Sequence, residues 1–124
     1  MSKRVYVSGP MSIIPGGNLE AFHEASDRLR EAGYFVVSPA EMNSVKEQTW
    51  EEYLEKDLIL LLNCDGIALL PQWEDSRGAK LELAVALKMG KFVLDATTLE
   101  SLEVDCNLEF LVGKNGSFRK MVKG

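Results

Sequence analysis

The chain predicts an α/β domain built on a parallel sheet with helices on both faces. Three observations carry this. Apolar runs of strand length alternate with segments of helical period in the order β-α-β-α-β-α-β. The strand runs are short and nearly all apolar, as strands covered on both sides must be. The intervening segments are long enough for the crossovers that parallel neighbours require.

Arg4-Val-Tyr-Val-Ser8 is a β-rich run stopped by Gly9-Pro10. Met11 to Gly17 reads as a loop, because Ile-Pro-Gly-Gly neither continues a strand nor starts a helix. Asn18 is the expected N-cap of the first helix, in which Leu19, Phe22, Ala25, Leu29 and Ala32 keep helical spacing and Gly33 supplies the stop. Tyr34 to Val37 is the second strand, and residues 40–48 read as a polar loop. Thr49-Trp-Glu-Glu52 is a capping box, so a helix starts there; its apolar stripe is Trp50, Tyr53, Leu54, Leu58 and Leu61, and Asn63 and Cys64 end it. The third strand runs from Asp65 to Leu70, the next helix from Arg77 to Met89 with Gly90 as its stop, and the fourth strand from Lys91 to Asp95. In the tail, Leu108 to Val112 is either a fifth strand or a helical turn, and Lys114-Asn-Gly116 is a turn. Without an internal repeat or linker, residues 1–124 read as one domain, with a core over 4–95 and a tail over 96–124.

A domain of 124 residues buries roughly 65% of its unfolded surface, enough for its own core. A net charge of −5 argues against a nucleic-acid polymer as partner. It leaves room for a small phosphorylated ligand, since local backbone dipoles bind one phosphate whatever the global charge. Two cysteines, Cys64 and Cys106, and one histidine, His23, make neither a zinc site nor a disulfide framework. No metal and no cofactor is expected. The thiols read as reduced, no apolar run is long enough to span a membrane, and the expected location is cytoplasmic.

Ligands of an open parallel sheet bind beyond the carboxyl ends of its strands. The polar, glycine-bearing ends here are Ser8-Gly9-Pro10-Met11 and the segment from Pro71 to Gly78. A helix start at Ser76, Arg77 and Gly78 favours an anion. One turn on, Glu82 is the only charge on a stripe of Gly78, Ala79, Val85, Ala86 and Met89, which marks it as a candidate catalyst; a rim position or an ion pair with Arg77 is the other reading. Asp57 falls on the apolar stripe of the preceding helix, so a second carboxylate faces inward, unless it is a helix-face Asp bonded to backbone. Asp65 is a weaker candidate, because an Asp before a strand usually caps a turn. Tyr6 and Trp73 have rings able to stack on a nucleobase, with core packing as the alternative. Two inward carboxylates beside a phosphate-type helix start fit cleavage at a sugar anomeric carbon, one acting as nucleophile and one as acid. The dinucleotide fingerprint and the P-loop are both absent, and a Ser-His-Asp triad would have to use His23 on the first helix.

Tyr6-Val-Ser-Gly-Pro-Met11, the segment from Asp57 to Asp65, and Asp75-Ser-Arg-Gly-Ala-Lys-Leu-Glu82 followed by Ala84 and Gly90-Lys91 together resemble the nucleoside 2-deoxyribosyltransferase-like superfamily. That group includes deoxynucleoside 5′-monophosphate N-glycosidases, and this compact version looks most like a small branch common in phages and bacteria. The resemblance implies a flavodoxin/Rossmann-like three-layer α/β/α fold with a four- to five-stranded parallel sheet. It implies Glu82 as nucleophile, Asp57 as the acid on the base side, and Ser8, Gly9, Ser76 and Gly78 as phosphate or sugar contacts. It also implies a homodimer or larger homo-oligomer in which a neighbour completes the site, with Asn107, Asn115 and Ser117 as the possible donors. The expected activity is hydrolysis of the N-glycosidic bond of a (deoxy)nucleoside 5′-monophosphate. Base exchange between nucleosides and non-catalytic nucleotide binding are the alternatives. The expected ligand contacts are Tyr6, Ser8, Gly9, Pro10, Met11, Asp65, Trp73, Ser76, Arg77 and Gly78.

Overall fold

The computed structural model describes residues 2–11, 13–42, 49–104 and 122–123. The elements follow in the order β1 (Arg4–Ser8), α1 (Leu19–Glu31), β2 (Phe35–Val37), α2 (Pro39–Met42), α3 (Trp50–Leu62), β3 (Gly66–Leu69), α4 (Arg77–Lys88), β4 (Phe92–Asp95), β5 (Glu103–Val104) and β6 (Val122–Lys123). β1 to β4 form one parallel sheet in the order β2-β1-β3-β4. The three-layer α/β fold is therefore the one expected, with four strands in its sheet.

The pleat of β1 divides the core. Val5 and Val7 pack with Phe22, Ala25 and Leu29 of α1 on one face. Tyr6 packs with Leu61 of α3 and Leu83 of α4 on the other. Alternate residues of a strand point to opposite faces, so one strand serves both layers. From β1 the chain crosses over to β2, and from β3 it crosses to β4 on the other side. The order thus reverses between β1 and β3, which opens a crevice above their carboxyl ends, where Ser8 pairs with Leu69.

Local chemistry explains the boundaries. Thr49 and Glu52 exchange both bonds of the capping box at the start of α3. α1 ends in a Schellman motif around left-handed Gly33: the Gly33 amide donates to Arg30 O and the Tyr34 amide to Leu29 O. That takes up Tyr34, so β2 begins one residue later than expected, at Phe35. α4 closes the same way around Gly90, with the Lys91 amide on Ala86 O.

Other expectations are corrected. Asn18 precedes α1 but its side chain does not cap it; it sits at φ 61°, and its Nδ2 donates to Pro10 O at 2.9 Å instead. Pro15–Asn18 is a short 3-10 turn rather than plain loop, and Pro39–Met42 is one helical turn within what reads as polar loop. β5 and β6 pair antiparallel, a small second sheet the sequence pattern does not signal. Leu108 to Val112, the Lys114–Gly116 turn and residues 107, 115 and 117 lie outside the described residues. Among the described residues, no helix is long and apolar enough to cross a membrane.

Gly66 opens β3 opposite Phe92, whose ring lies across the position a Cβ would take. Gly66→Ala is expected to cost about 1–3 kcal/mol through overpacking. Urea titration checks this as a lower midpoint at unchanged slope.

Candidate active site

A cavity of about 380 Å³ opens above the carboxyl end of β1. Its walls come from segments spread between Gly9 and Glu82: Gly9 and Met11 after β1, Gly17, Leu19 and Phe22 at the entry to α1, and Pro39 and Ala40 of α2. Trp50, Tyr53, Leu54 and Asp57 of α3, and Ser76 to Ala79 with Glu82 of α4, complete them. Gly9 is a glycine for a packing reason, since a Cβ there would stand 2.6 Å from the Leu70 Cβ.

Glu82 is 6% exposed and reaches from α4 to the strand beneath it. Tyr6 Oη donates to its Oε2 at 2.8 Å, and Ser8 Oγ donates to its Oε1 at 2.6 Å. Both oxygens are therefore oriented by hydroxyls from one rigid strand, two residues apart on the same face. Burial pushes the Glu82 carboxyl up to about 7; the Ser8 and Tyr6 hydroxyls oppose that rise, and the charge of Asp57 adds to it. Tyr6 is held well above the usual phenol range, by burial first and by Glu82 second, so it stays a donor. Asp57 is buried on α3 and lines the same cavity, as its place on the helical stripe predicts.

The start of α4 is electropositive. Ser76 is its N-cap, and its Oγ accepts from the Ala79 amide at 3.1 Å. The amides of Arg77 and Gly78 lie in the first turn and have no acceptor within the helix, and that turn carries no acidic residue, unlike that of α3 with Glu51 and Glu52. A Cβ on Gly78 would meet nothing closer than Ser76 Oγ at 4.0 Å. The protein's own packing does not demand a glycine here. Its presence leaves the helix-start backbone bare toward the cavity.

Of the residues expected to bind substrate, Gly9, Met11, Ser76, Arg77 and Gly78 line this cavity with Glu82 and Asp57. Tyr6 and Ser8 are wholly buried beneath it, their hydroxyls engaged by Glu82. Pro10 is buried and presents its carbonyl to Asn18 rather than to the cavity. Asp65 is not brought there: it lies at the amino end of β3, where its Oδ2 accepts from the Arg4 amide at 2.8 Å. Trp73 is also elsewhere, 4% exposed in the core and facing a separate cleft shared with Asp95. His23 lies on the exposed side of α1 near Glu41. Cys64 is buried, with its thiol pushed up to about 11 by burial, and it is not among the residues that line the cavity. The aromatic rings at the cavity are Phe22 of α1 and, from α3, Trp50 and Tyr53, the last two of which the helical period assigns to the core stripe of α3. The signal was present for those two, because they share that stripe with inward-facing Asp57.

Fold and cavity together define the class: an α/β/α domain with two buried carboxylates and an open helix start at its topological switch point. The chain belongs to the family described as Domain of unknown function (DUF4406), whose model matches residues 3–95. A comparison with curated proteins finds no match. Among solved structures, the fold is similar to one described as 2-desoxiribosyltransferase from Leishmania mexicana, with a TM-score of 0.57 and 19% identity. The match covers 75% of this chain and 63% of that one, so this chain spans less than two thirds of the neighbour's length.

Proposed function

We propose that this protein is an N-glycosidase acting on a (deoxy)nucleoside 5′-monophosphate. The observation that carries the reading is Glu82, a buried carboxylate aimed by Tyr6 and Ser8 into a cavity it shares with Asp57 and the start of α4. In this reading the phosphate rests on the amides of Arg77 and Gly78 and on the Ser76 hydroxyl, whose proton is free to donate while its oxygen caps the helix. That contact fixes the sugar between the carboxylates. Glu82 attacks the anomeric carbon as the bond to the base breaks, through an oxocarbenium-like transition state. Asp57 gives the departing base its proton. A water molecule then displaces the ester at the anomeric carbon, gives its proton to Asp57, and releases the sugar phosphate with Glu82 restored.

Base exchange is the second reading, favoured by the fold shared with a protein described as a deoxyribosyltransferase. It uses the same first half-reaction, with a second base in place of water. One experiment separates the two. The protein is incubated with a panel of nucleoside monophosphates and nucleosides, with and without a second free base, and products are resolved by chromatography. Free base together with sugar phosphate supports hydrolysis. A new nucleoside appearing only when a second base is supplied supports transfer, and no product under any condition overturns both.

A further inference from the structure

Trp50 and Arg77 are the first residues of α3 and α4, and the two helix starts meet at the cavity. The Arg77 Cζ lies 4.2 Å from the centroid of the Trp50 ring, within cation–π range. We propose that Trp50 is a positioning residue for Arg77, and that the stacked pair makes the cavity prefer a ligand ending in a phosphate monoester over the same ligand without it. The ligand class rests on the nucleotide reading above; the residues that enforce the preference are the new element.

The placement of Arg77 needs explaining. A cation in the first turn of a helix faces the positive end of the dipole, which disfavours it. The chain carries 19 acidic residues, yet among the described residues none forms an ion pair with Arg77, whereas Arg30 is held by both oxygens of Glu41. The indole face is what holds the guanidinium at the cavity. Without it, a long exposed side chain gains rotamer freedom by leaving.

Stacking and phosphate binding are compatible in this geometry. Stacking uses the flat face of the guanidinium, while its N–H donors lie in the plane and point outward from the edge. Those donors are free for phosphate oxygens beside the amides of Arg77 and Gly78. Trp50 thus stands where the guanidinium face, rather than a nucleobase, occupies its ring.

The test compares dissociation constants for a nucleoside 5′-monophosphate and its matching nucleoside, by calorimetry, across wild type, Trp50→Ala, Trp50→Phe and Arg77→Ala. The wild type is expected to prefer the monophosphate by at least about 30-fold, as several charge-assisted bonds imply. That ratio is expected to fall at least tenfold or so in Arg77→Ala and about fivefold in Trp50→Ala, the scale of one cation–π contact. Trp50→Phe keeps an aromatic face and is expected to stay within about threefold of wild type. Equal losses for both ligands, a Trp50→Phe variant as impaired as Trp50→Ala, or no preference in the wild type overturns the proposal. A wild type that shows the preference but releases no base refutes the glycosidase reading and leaves this role for Trp50 intact.

Discussion

Glu82→Gln is expected to lower kcat/KM for the best nucleotide substrate by on the order of 10⁴-fold, a rise of about 5.5 kcal/mol in the barrier. The amide keeps the size and most of the hydrogen bonding of the carboxylate but cannot bond to the anomeric carbon. Binding of the monophosphate is expected to persist, since the proposed phosphate contacts lie a turn away, at Ser76 to Gly78, on the wall of the same cavity. Tyr6→Phe supplies the graded companion. Its hydroxyl stabilises ionised Glu82 through the bond to Oε2, so removing it raises the Glu82 pKa further. The acid limb of the pH–rate profile, expected near 7 in the wild type, should therefore move to higher pH in Tyr6→Phe. Single-turnover kinetics over pH 5 to 9 measure both effects. A Glu82→Gln enzyme with wild-type turnover removes Glu82 from the chemistry.

The same carboxylate makes the fold pH-sensitive in a direction opposite to most acidic residues. Its folded pKa is raised to about 7 from an ordinary 4.5, so between those values the folded state holds more protons than the unfolded chain. Its contribution is fully present below about 4.5 and is lost as pH rises through 7. At about 1.36 kcal/mol for each of roughly 2.5 units, the loss is about 3 kcal/mol. Glu82→Gln has no proton to lose. Its stability relative to wild type is therefore expected to grow by about 3 kcal/mol between pH 4.5 and pH 8, read by urea unfolding at each pH. A difference that stays flat across that range would show that Glu82 ionises in the folded protein as it does in water.

Much of this architecture was legible because it rests on local chemistry. The Thr49–Glu52 capping box, the glycine stops at 33 and 90, and the strand Arg4–Ser8 all follow from residues within a few positions of one another. Asp57 was legible too, because helical period alone places it on the inward stripe. The grip of Tyr6 and Ser8 on Glu82 was not, since it joins residues 76 and 74 positions apart and depends on which strand lies beneath α4. The tryptophans show a second limit. Apolar rings mark a core and the wall of an apolar cavity equally well, so the sequence leaves Trp73 open between ligand and core and puts Trp50 on the core stripe, while the structure puts Trp73 in the core and Trp50 on the cavity wall. Asn18 shows a third: a good capping residue is diverted when Gly16 and Gly17 take left-handed backbone before it and its amide meets Pro10 O first.

The chain that follows β4 doubles back on it. Leu102 N donates to Val93 O, Asp95 N donates to Glu100 O, and Leu94 bridges Ser101 antiparallel. A further parallel strand beside β4 would need those same backbone groups, so this edge cannot take one. At the other edge, β2 offers three residues, one of them Phe35 beneath the Arg4 guanidinium at 5.4 Å. Short, charge-flanked edges resist pairing with neighbouring chains. Among the described residues, the sheet is thus closed to growth on one side and blunted on the other. Over those residues its width is four strands, and neither edge favours joining copies by extending the sheet.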